Sequence, residues 1–193
     1  MIHPGRASMT DLQRTSPLAS ALRSNGAAGF ELHELAHVAK VRVQALRPRG
    51  MLTPCADPQR LPVEPNTALG VEPIVLWKGP DDWLAYSLEL SAERVGAELR
   101  LVTSSAPLVL TDVSSASLVL ELRGPRALDV LMRDCTLDLE QDAIEPGNCA
   151  QTLLAQVGVM IHRLQDADAW RLFVERSVAV HLWEWLMTSR VFP

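Results

Sequence analysis

The segment "HELAH", residues 33–37, holds the residue types best suited to chemistry in this sequence. On a helix, residues four apart share one face, so His33 and His37 could bind zinc while Glu34 serves as a general base. The segment is short, stands beside a strand-like run and offers no third ligand. We therefore interpret these three as solvated polar residues on a short helix.

Other reactive side chains have simpler interpretations. Asp81 and Asp82 form an acidic pair in "KGPDD", where aspartate favours a turn by bonding to nearby backbone N–H groups. Cys135 and Cys149 stand among apolar residues, where cysteine behaves as a small hydrophobe. His162, on an apolar strand, is expected to be a hydrogen-bonded core or edge histidine.

The common catalytic and nucleotide-binding motifs are missing from the sequence. It contains no G-x-S-x-G elbow, no G-x-x-x-x-G-K-[ST] phosphate loop and no G-x-G-x-x-G fingerprint. The third cysteine, Cys55, completes an odd set without a C-x-x-C pair, which favours a reducing compartment over a disulfide framework or a zinc site. We assign no catalytic, cofactor-binding or metal-binding residue to this chain.

Composition indicates a soluble globular protein. Of 193 residues, 48% are hydrophobic, and the net charge of −5 without a basic block makes nucleic acid an unfavourable partner. The opening residues hold no apolar run long enough for a signal peptide or a membrane span. We expect a cytoplasmic protein without membrane contact, translated from Met1 or from Met9.

The first half of the chain predicts an arm, a strand, a hairpin and a helix. Residues 1–30 lack a sustained period and are interpreted as an extended arm. "AKVRVQAL" alternates as a half-buried strand does, and prolines recur from residue 47 to 73 in a surface connection. "IVLW" and "WLAYSL" flank a turn as a hairpin, and Ser91 can cap the helix "SAERVGAELRL".

The second half predicts strands and helices in alternation. Residues 108–113 and 117–123 are strand-like, and Pro125 opens a helix in "GPRALDVLMRDC". "CAQTLLAQVGVMIHRL" contains two apolar runs broken near Gly158, "AWRLFVER" is a strand, and Ser177 can cap a final helix. The fold class is α+β, with helices packed on one face of mainly antiparallel sheets.

Six stretches, in order, resemble the gamma subunit of heterotetrameric sarcosine oxidase, and together they span nearly the whole chain. They are "RTSPLA", "LPVEPNTAL", "LWKGPDDWLAYS", "DVSSASLVLELRGPRALDVLMRDCTLDL", "EPGNCAQTLLAQVGVMIHRL" and "WRLFVERSVAVHLWEWL". That family is itself similar to the folate-binding fold of the glycine-cleavage aminomethyltransferases. The resemblance implies this fold for residues 31–193, in one domain or in two sub-lobes of about 31–112 and 113–193.

The resemblance also implies a function. The complex oxidatively demethylates sarcosine to glycine, passes electrons from FAD to FMN and oxygen with formation of hydrogen peroxide, and transfers the one-carbon unit to tetrahydrofolate. FAD, FMN, NAD, tetrahydrofolate and zinc are expected on the other subunits. The chain itself is expected to be a non-catalytic accessory subunit that assembles with alpha, beta and delta subunits and packs on the large subunit's folate-binding domain.

One departure from the related fold bears on catalysis. Aminomethyltransferases place acidic residues after a glycine in the strand that corresponds to "QVGVMIHRL", whereas this chain has Met160, Ile161 and His162 there. The stretch 118–139 therefore predicts the scaffold of a folate pocket without its carboxylate. A stand-alone folate-dependent one-carbon transferase and a free-standing small-molecule-binding module remain the alternatives.

Overall fold

A computed structural model describes residues 16–19, 29–46, 59–102, 107–141, 143–166 and 168–188. Several sequence-based predictions therefore lie outside the described residues. They concern most of the arm at 1–30, the first part of the proline-rich connection and Cys55.

Two five-stranded antiparallel sheets make up the fold. The first has the spatial order β1-β7-β10-β9-β8, and its strands are β1 (Glu31–Glu34), β7 (Ser117–Arg123), β8 (Cys149–Leu154), β9 (Val157–Arg163) and β10 (Ala169–Glu175). The second has the order β3-β4-β5-β2-β6, and its strands are β2 (Ala39–Ala45), β3 (Ala68–Leu69), β4 (Ile74–Gly79), β5 (Asp82–Ser87) and β6 (Leu108–Asp112).

The two sheets pack face to face, and helices cover their outer faces. Helix α1 (Ala92–Val102) packs on the second sheet, and helices α2 (Ala127–Met132) and α3 (Ala179–Thr188) pack on the first. A third apolar cluster, which includes Val119 and Phe173 from the first sheet and Leu76 and Tyr86 from the second, fills the space between the sheets. The result is four layers, helix–sheet–sheet–helix, and it confirms the α+β class with antiparallel sheets and helices on one face of each.

Turns and caps explain most of the element boundaries. The hairpin of β4 and β5 turns at Asp81, whose φ of +59° suits a residue with a short polar side chain. The oxygen of Ser91 accepts a hydrogen bond from the backbone N–H of Arg94 at 3.3 Å, which confirms the predicted cap of α1.

Two predicted boundaries in the second half are wrong. The break assigned to Gly158 lies at Ala155 and Gln156, which adopt positive φ in the turn between β8 and β9. Helix α2 begins at Ala127, two residues after Pro125. The turn at residues 155–156 splits one long apolar stretch into the β8–β9 hairpin. Three separate strands therefore follow α2.

Large apolar side chains fill the outer cores. Trp170 and Trp183 are buried between the first sheet and its helices, and Trp83 is buried beneath α1. The indole N–H of Trp83 donates to the carbonyl of Pro62 at 2.7 Å. No helix in the described part of the chain is long and apolar enough to cross a bilayer.

Candidate functional site

A row of polar side chains crosses the first sheet on the face that meets the second. Strand register places Cys149 opposite His162, His162 opposite Arg171, Arg171 opposite Glu121, and Glu121 opposite His33. Neighbouring positions on one face of an antiparallel sheet lie about 4.5–5.5 Å apart between Cβ atoms, so these side chains can interact in sequence. The two ends of the row differ in burial, since Cys149 is fully buried and His33 is exposed.

Tyr86 of β5 joins this row from the opposite sheet. Its hydroxyl lies 2.8 Å from Nδ1 of His162 and accepts a hydrogen bond from Nη1 of Arg171 at 2.9 Å. Nε of Arg171 donates to Oε2 of Glu121 at 2.9 Å. We call Tyr86, Glu121, His162 and Arg171 the inter-sheet network.

Aromatic packing and a second arginine complete the surroundings of the network. The ring of Tyr86 meets that of Phe173 edge to face, with centroids 4.9 Å apart. Nε of Arg123 donates to the other carboxylate oxygen of Glu121 at 2.6 Å, and Nη1 of Arg123 reaches the exposed Asp166 at 3.2 Å. Both oxygens of the Glu121 carboxylate therefore have arginine donors.

The burial of these groups sets their protonation. Desolvation, aided by the Arg171 charge, lowers the pKa of His162 to about 4, and desolvation raises the pKa of Tyr86 to about 12. Burial alone would raise the pKa of Glu121, but hydrogen bonds and charges from Arg123 and Arg171 outweigh it and lower the pKa. At neutral pH the histidine and the phenol are neutral, and the carboxylate is ionised.

The hydrogen-bond directions follow from these protonation states. Because Arg171 has only donors, the hydroxyl of Tyr86 accepts from it and gives its own proton to Nδ1 of neutral His162. His162 also forms a hydrogen bond to the backbone of Gly147. This bond raises the pKa of His162, whereas burial lowers it by more. The network can hold the sheets together, but its histidine lone pair and its carboxylate are already engaged.

A hydrogen-bonded seam continues beside the network, along β8. The backbone N–H of Cys149 donates to the carbonyl of Asn66 at 3.0 Å, and the thiol contacts the carbonyl of Thr67 at 3.3 Å. Nε2 of Gln151 donates to the carbonyl of Lys78 at 2.6 Å. Desolvation raises the pKa of Cys149 to about 12, so the thiol stays protonated, as the prediction of a small hydrophobe requires.

The structure separates the residues of "HELAH". His33 lies in β1 and Glu34 ends that strand, whereas His37 lies in the following turn with φ of +60°. The predicted short helix is wrong, because pairing with β7 gives residues 31–34 an extended backbone. Among the described residues, no three His, Cys, Asp or Glu side chains form a group that could hold a metal ion.

The remaining candidates are placed in different parts of the molecule. Asp81 lies in the predicted turn, while Asp82 begins β5 and forms an ion pair with Arg42 at 2.6 Å. Cys135 is partly buried, and its sulfur lies 3.7 Å from the hydroxyl of Thr152. His162 is the candidate that becomes part of the network, and the prediction of a hydrogen-bonded core histidine is confirmed.

Sequence reasoning missed three of the four network residues, namely Tyr86, Glu121 and Arg171. The signal was present as single charged residues of opposite sign inside the apolar strands "SLVLELR" and "AWRLFVE". Pairing of β7 with β10 makes Glu121 and Arg171 direct neighbours, which the sequence alone does not reveal. An acid does therefore stand near His162, although two arginines neutralise it.

Comparisons with a family model and with individual proteins point to the same family. A model of the sarcosine oxidase gamma subunit family matches residues 56–191. The chain is 32% identical over 186 residues to sarcosine oxidase subunit gamma of Corynebacterium sp. (strain P-1), covering 91% of this chain and 89% of that protein. It is 30% identical to the Arthrobacter sp. subunit gamma, covering 93% of this chain and 91% of that protein.

Solved structures agree with the fold. One chain of the heterotetrameric sarcosine oxidase from Corynebacterium sp. U-96, solved in complex with pyrrole 2-carboxylate, superposes with a TM-score of 0.75 at 25% identity. That match covers 92% of this chain and 95% of that chain. The glycine cleavage system aminomethyltransferase T from Bartonella henselae matches at a TM-score of 0.54 and 16% identity, over 84% of this chain and 47% of that chain, and so shares the fold.

Proposed function

The chain belongs to the sarcosine oxidase gamma subunit family, and from this membership we propose that it is the accessory subunit of a heterotetrameric, flavin-dependent sarcosine oxidase. The complex oxidatively demethylates sarcosine to glycine, transfers the one-carbon unit to tetrahydrofolate and forms hydrogen peroxide. This chain contributes assembly and stability to that reaction, and its partners carry out the chemistry.

The inter-sheet network supports the proposal that this chain is not catalytic. A general base needs an available lone pair and access to the substrate. His162 is 4% exposed and accepts a hydrogen bond from Tyr86, and Glu121 is 8% exposed and paired with two arginines. These contacts support a structural role, because any substrate would have to displace them first.

The same layer does not fit a bound folate. Tyr86 and Phe173 pack directly against each other between the sheets, and Met160 fills the neighbouring position of β9. The carboxylate expected from aminomethyltransferases is replaced by Met160, Ile161 and His162, and Glu121 is held by two arginines. We therefore propose that tetrahydrofolate, together with FAD, FMN, NAD and zinc, is bound by the other subunits.

Alpha, beta and delta subunits are the proposed partners, with the large subunit's folate-binding domain as the docking surface. Residues 1–30 are proposed to serve as an arm across a neighbouring subunit, and residues 31–193 as the aminomethyltransferase-like unit, in one domain or in two sub-lobes of about 31–112 and 113–193. The assembly is proposed to act in the cytoplasm.

A tagged pull-down of the full-length chain from its native host, at low salt, tests this function. We expect three further chains and flavin absorbance in the eluate, together with sarcosine-dependent formation of peroxide. A colourless single chain would contradict the accessory role. Titration of such a chain with tetrahydrofolate would then separate a stand-alone transferase from a simple binding module.

A further inference from the structure

The outer edges of the two sheets differ in how well they are protected. An edge strand presents unpaired backbone N–H and C=O groups, and another chain can pair with them unless charge, shortness or a covering segment prevents it. In the described part of the chain, β1 and β8 are the edges of the first sheet, and β3 and β6 are the edges of the second. Strand β6 is the edge that lacks these forms of protection.

Charge, length and covering contacts protect the other edges. Two glutamates and a histidine make up three of the four residues of β1, and β3 has only two residues. Both ends of β8 are covered, because the backbone N–H of Cys149 donates to the carbonyl of Asn66 at 3.0 Å and that of Thr136 donates to the carbonyl of Leu153 at 3.1 Å. These edges, as far as the structure describes them, offer no long apolar template to a further strand.

Alternate residues of β6 use their backbone groups to pair with β2. Just outside the strand, the N–H of Leu46 donates to the carbonyl of Pro107, and the N–H of Val113 donates to the carbonyl of Lys40, each at 2.9 Å. Hydrogen-bonded pairs alternate along an antiparallel ladder, so the odd-numbered residues of β6 bond to β2. The backbone groups of its even-numbered residues point to the opposite side, away from the sheet.

The free side of β6 is apolar and accessible. Leu108 and Leu110 occupy even positions, and no described strand pairs with the N–H and C=O groups that they direct outward. The strand LVLTD contains neither lysine nor proline, and its single charge, Asp112, is its last residue. A strand of this composition at a sheet edge is a template for pairing with an extended chain.

A groove of about 240 Å³ lies beside this edge, between β6 and α1. Its apolar lining consists of Val41, Ala92, Gly96 and Leu110. Gly96 has no side chain, and a Cβ at its position would lie 3.8 Å from Cδ1 of Leu110. Side chains alternate between the faces of a strand, so every second side chain of a strand added to β6 would lie on the side of the groove. Val109, which is 41% exposed, lies on the other face.

We propose that the free edge of β6 pairs with an extended segment of a partner subunit, which adds a sixth strand to the second sheet and places an apolar side chain in the groove beside α1. Outward N–H and C=O groups spaced along a strand are matched by the backbone of an extended chain, and the groove selects its side chain. This inference rests on the proposed function, because an assembly of four different subunits supplies the segment from a different chain.

Hydrogen exchange of backbone amides, measured with residue resolution, tests the pairing. The full-length chain alone is compared with the same chain in the assembled complex. The amide of Leu110 should exchange at least about tenfold more slowly in the complex, because its N–H gains a partner there. The amide of Thr111 is the internal control, since it bonds to β2 in both states and should remain protected.

Substitutions at the edge and in the groove give a second test. Unchanged and variant chains are coexpressed in equal amounts with the partner subunits, and their ratio in the purified complex is measured by mass spectrometry. Leu110→Pro removes an N–H that this chain does not use, whereas the control Leu110→Ala keeps it and loses the same side-chain packing. We expect Leu110→Pro to be incorporated at least about tenfold less than Leu110→Ala. If Leu110→Pro fails to fold, Gly96→Leu, which fills the groove, replaces it, with Gly96→Ala as its control.

Each contrary result would overturn the proposal. Unchanged exchange of Leu110 in the complex, or equal incorporation of the variant and its control, would exclude strand addition at β6. Protection of Leu110 in the isolated chain would assign the edge to another segment of the same chain if the chain is monomeric, and to a second copy if it is a dimer.

Failure of the proposed function is seen separately. An unchanged chain that assembles with flavin-containing partners, but whose Leu110 exchanges as it does in isolation, refutes the edge pairing and leaves the accessory role intact. An unchanged chain that recovers no partner at all refutes both.

Discussion

The inter-sheet network and a cleft at one end of the two sheets, lined by Lys40, Glu34 and Asp112, are both polar, yet they differ in how open they are. In the network, each charged group has a partner within the protein, and Arg171 contacts both Glu121 and Tyr86 at 2.9 Å. In the cleft, Lys40 and two carboxylates line a space of about 600 Å³. The same residue types therefore lie within a packed layer in one region and line an open cleft in the other.

This difference teaches how an aminomethyltransferase-like fold can serve an accessory role. Charges in the middle of the layer have partners of opposite sign within the protein, so removing one of them should have a large cost in stability. At the end of the layer, charged residues line an open cleft, although Lys40 is itself only 3% exposed. Substitutions should therefore separate the two regions, with a larger effect on stability in the network than on the exposed wall of the cleft.

Arg171→Met should produce the largest loss of stability. It leaves the Glu121 carboxylate buried with one arginine instead of two and removes the donor to Tyr86, so we expect a loss of about 3–5 kcal/mol in the free energy of unfolding. Arg176→Met, in the exposed part of the cleft, is the matched control and should cost about 0–1 kcal/mol. Urea unfolding measures both, and equal losses would erase the distinction between the regions.

Tyr86→Phe should have the next largest effect. The ring keeps its packing against Phe173, but Nδ1 of His162 and Nη1 of Arg171 lose their shared hydroxyl. Leaving such buried groups unsatisfied costs about 1–3 kcal/mol. Thermal and urea unfolding of this single-atom change measure the link between the sheets, and unchanged stability would show that the hydroxyl contributes nothing.

Acid should weaken the network through His162. Its pKa is lowered to about 4 in the folded chain, from a usual value of 6.5, so the unfolded chain binds more protons between these limits. Stability is therefore full above pH 6.5 and falls as the pH drops toward 4, by at most about 1.4 kcal/mol per pH unit. Glu121, whose pKa is lowered from its usual value of 4.5, adds a further loss that begins as the pH falls below that value.

His162→Gln is the control for this pH dependence. The glutamine amide has no titration in the window, so unfolding measured from pH 7 to pH 4.5 should show a shallower slope than in the unchanged chain. An identical slope in both proteins would mean that another group is responsible for the pH dependence.

Cys149→Ala should show the smallest effect of the set, about 1 kcal/mol. The change removes a buried sulfur and its contact with the carbonyl of Thr67, but no charge is left without a partner. Cys135→Ala, at a partly buried position, is the comparison and should cost less. A loss as large as that of Arg171→Met would place Cys149 inside the network rather than beside it.

Local sequence signals predicted the elements better than their pairing. Alternation and turn chemistry identified β2, the β4–β5 hairpin, β7 and the capped helix α1. The strand conformation of His33 was missed because it depends on pairing with β7, whose residues lie about ninety positions further along the chain. The break near Gly158 was misplaced because a turn at Ala155 and Gln156 carries no glycine or proline signal.

The environment of a site residue was predictable only where the residue type and its neighbours in the sequence are sufficient to indicate it. A histidine in an apolar strand indicates a buried, hydrogen-bonded ring, and His162 fits that prediction. The identity of its partner depends on how two sheets stack, which brings Tyr86 to it across 76 positions of sequence. The cleft lined by Lys40 and Asp112 likewise joins five distant segments, and no single segment carries a binding motif.

The central claim is that the polar core of this chain is structural while its partners carry out catalysis. The most direct test is sarcosine turnover per flavin in complexes assembled with the unchanged chain and with His162→Gln. We predict a lower yield or melting temperature of the assembled complex and an unchanged turnover per flavin. A fully assembled His162→Gln complex with normal flavin content and lost turnover would contradict the account.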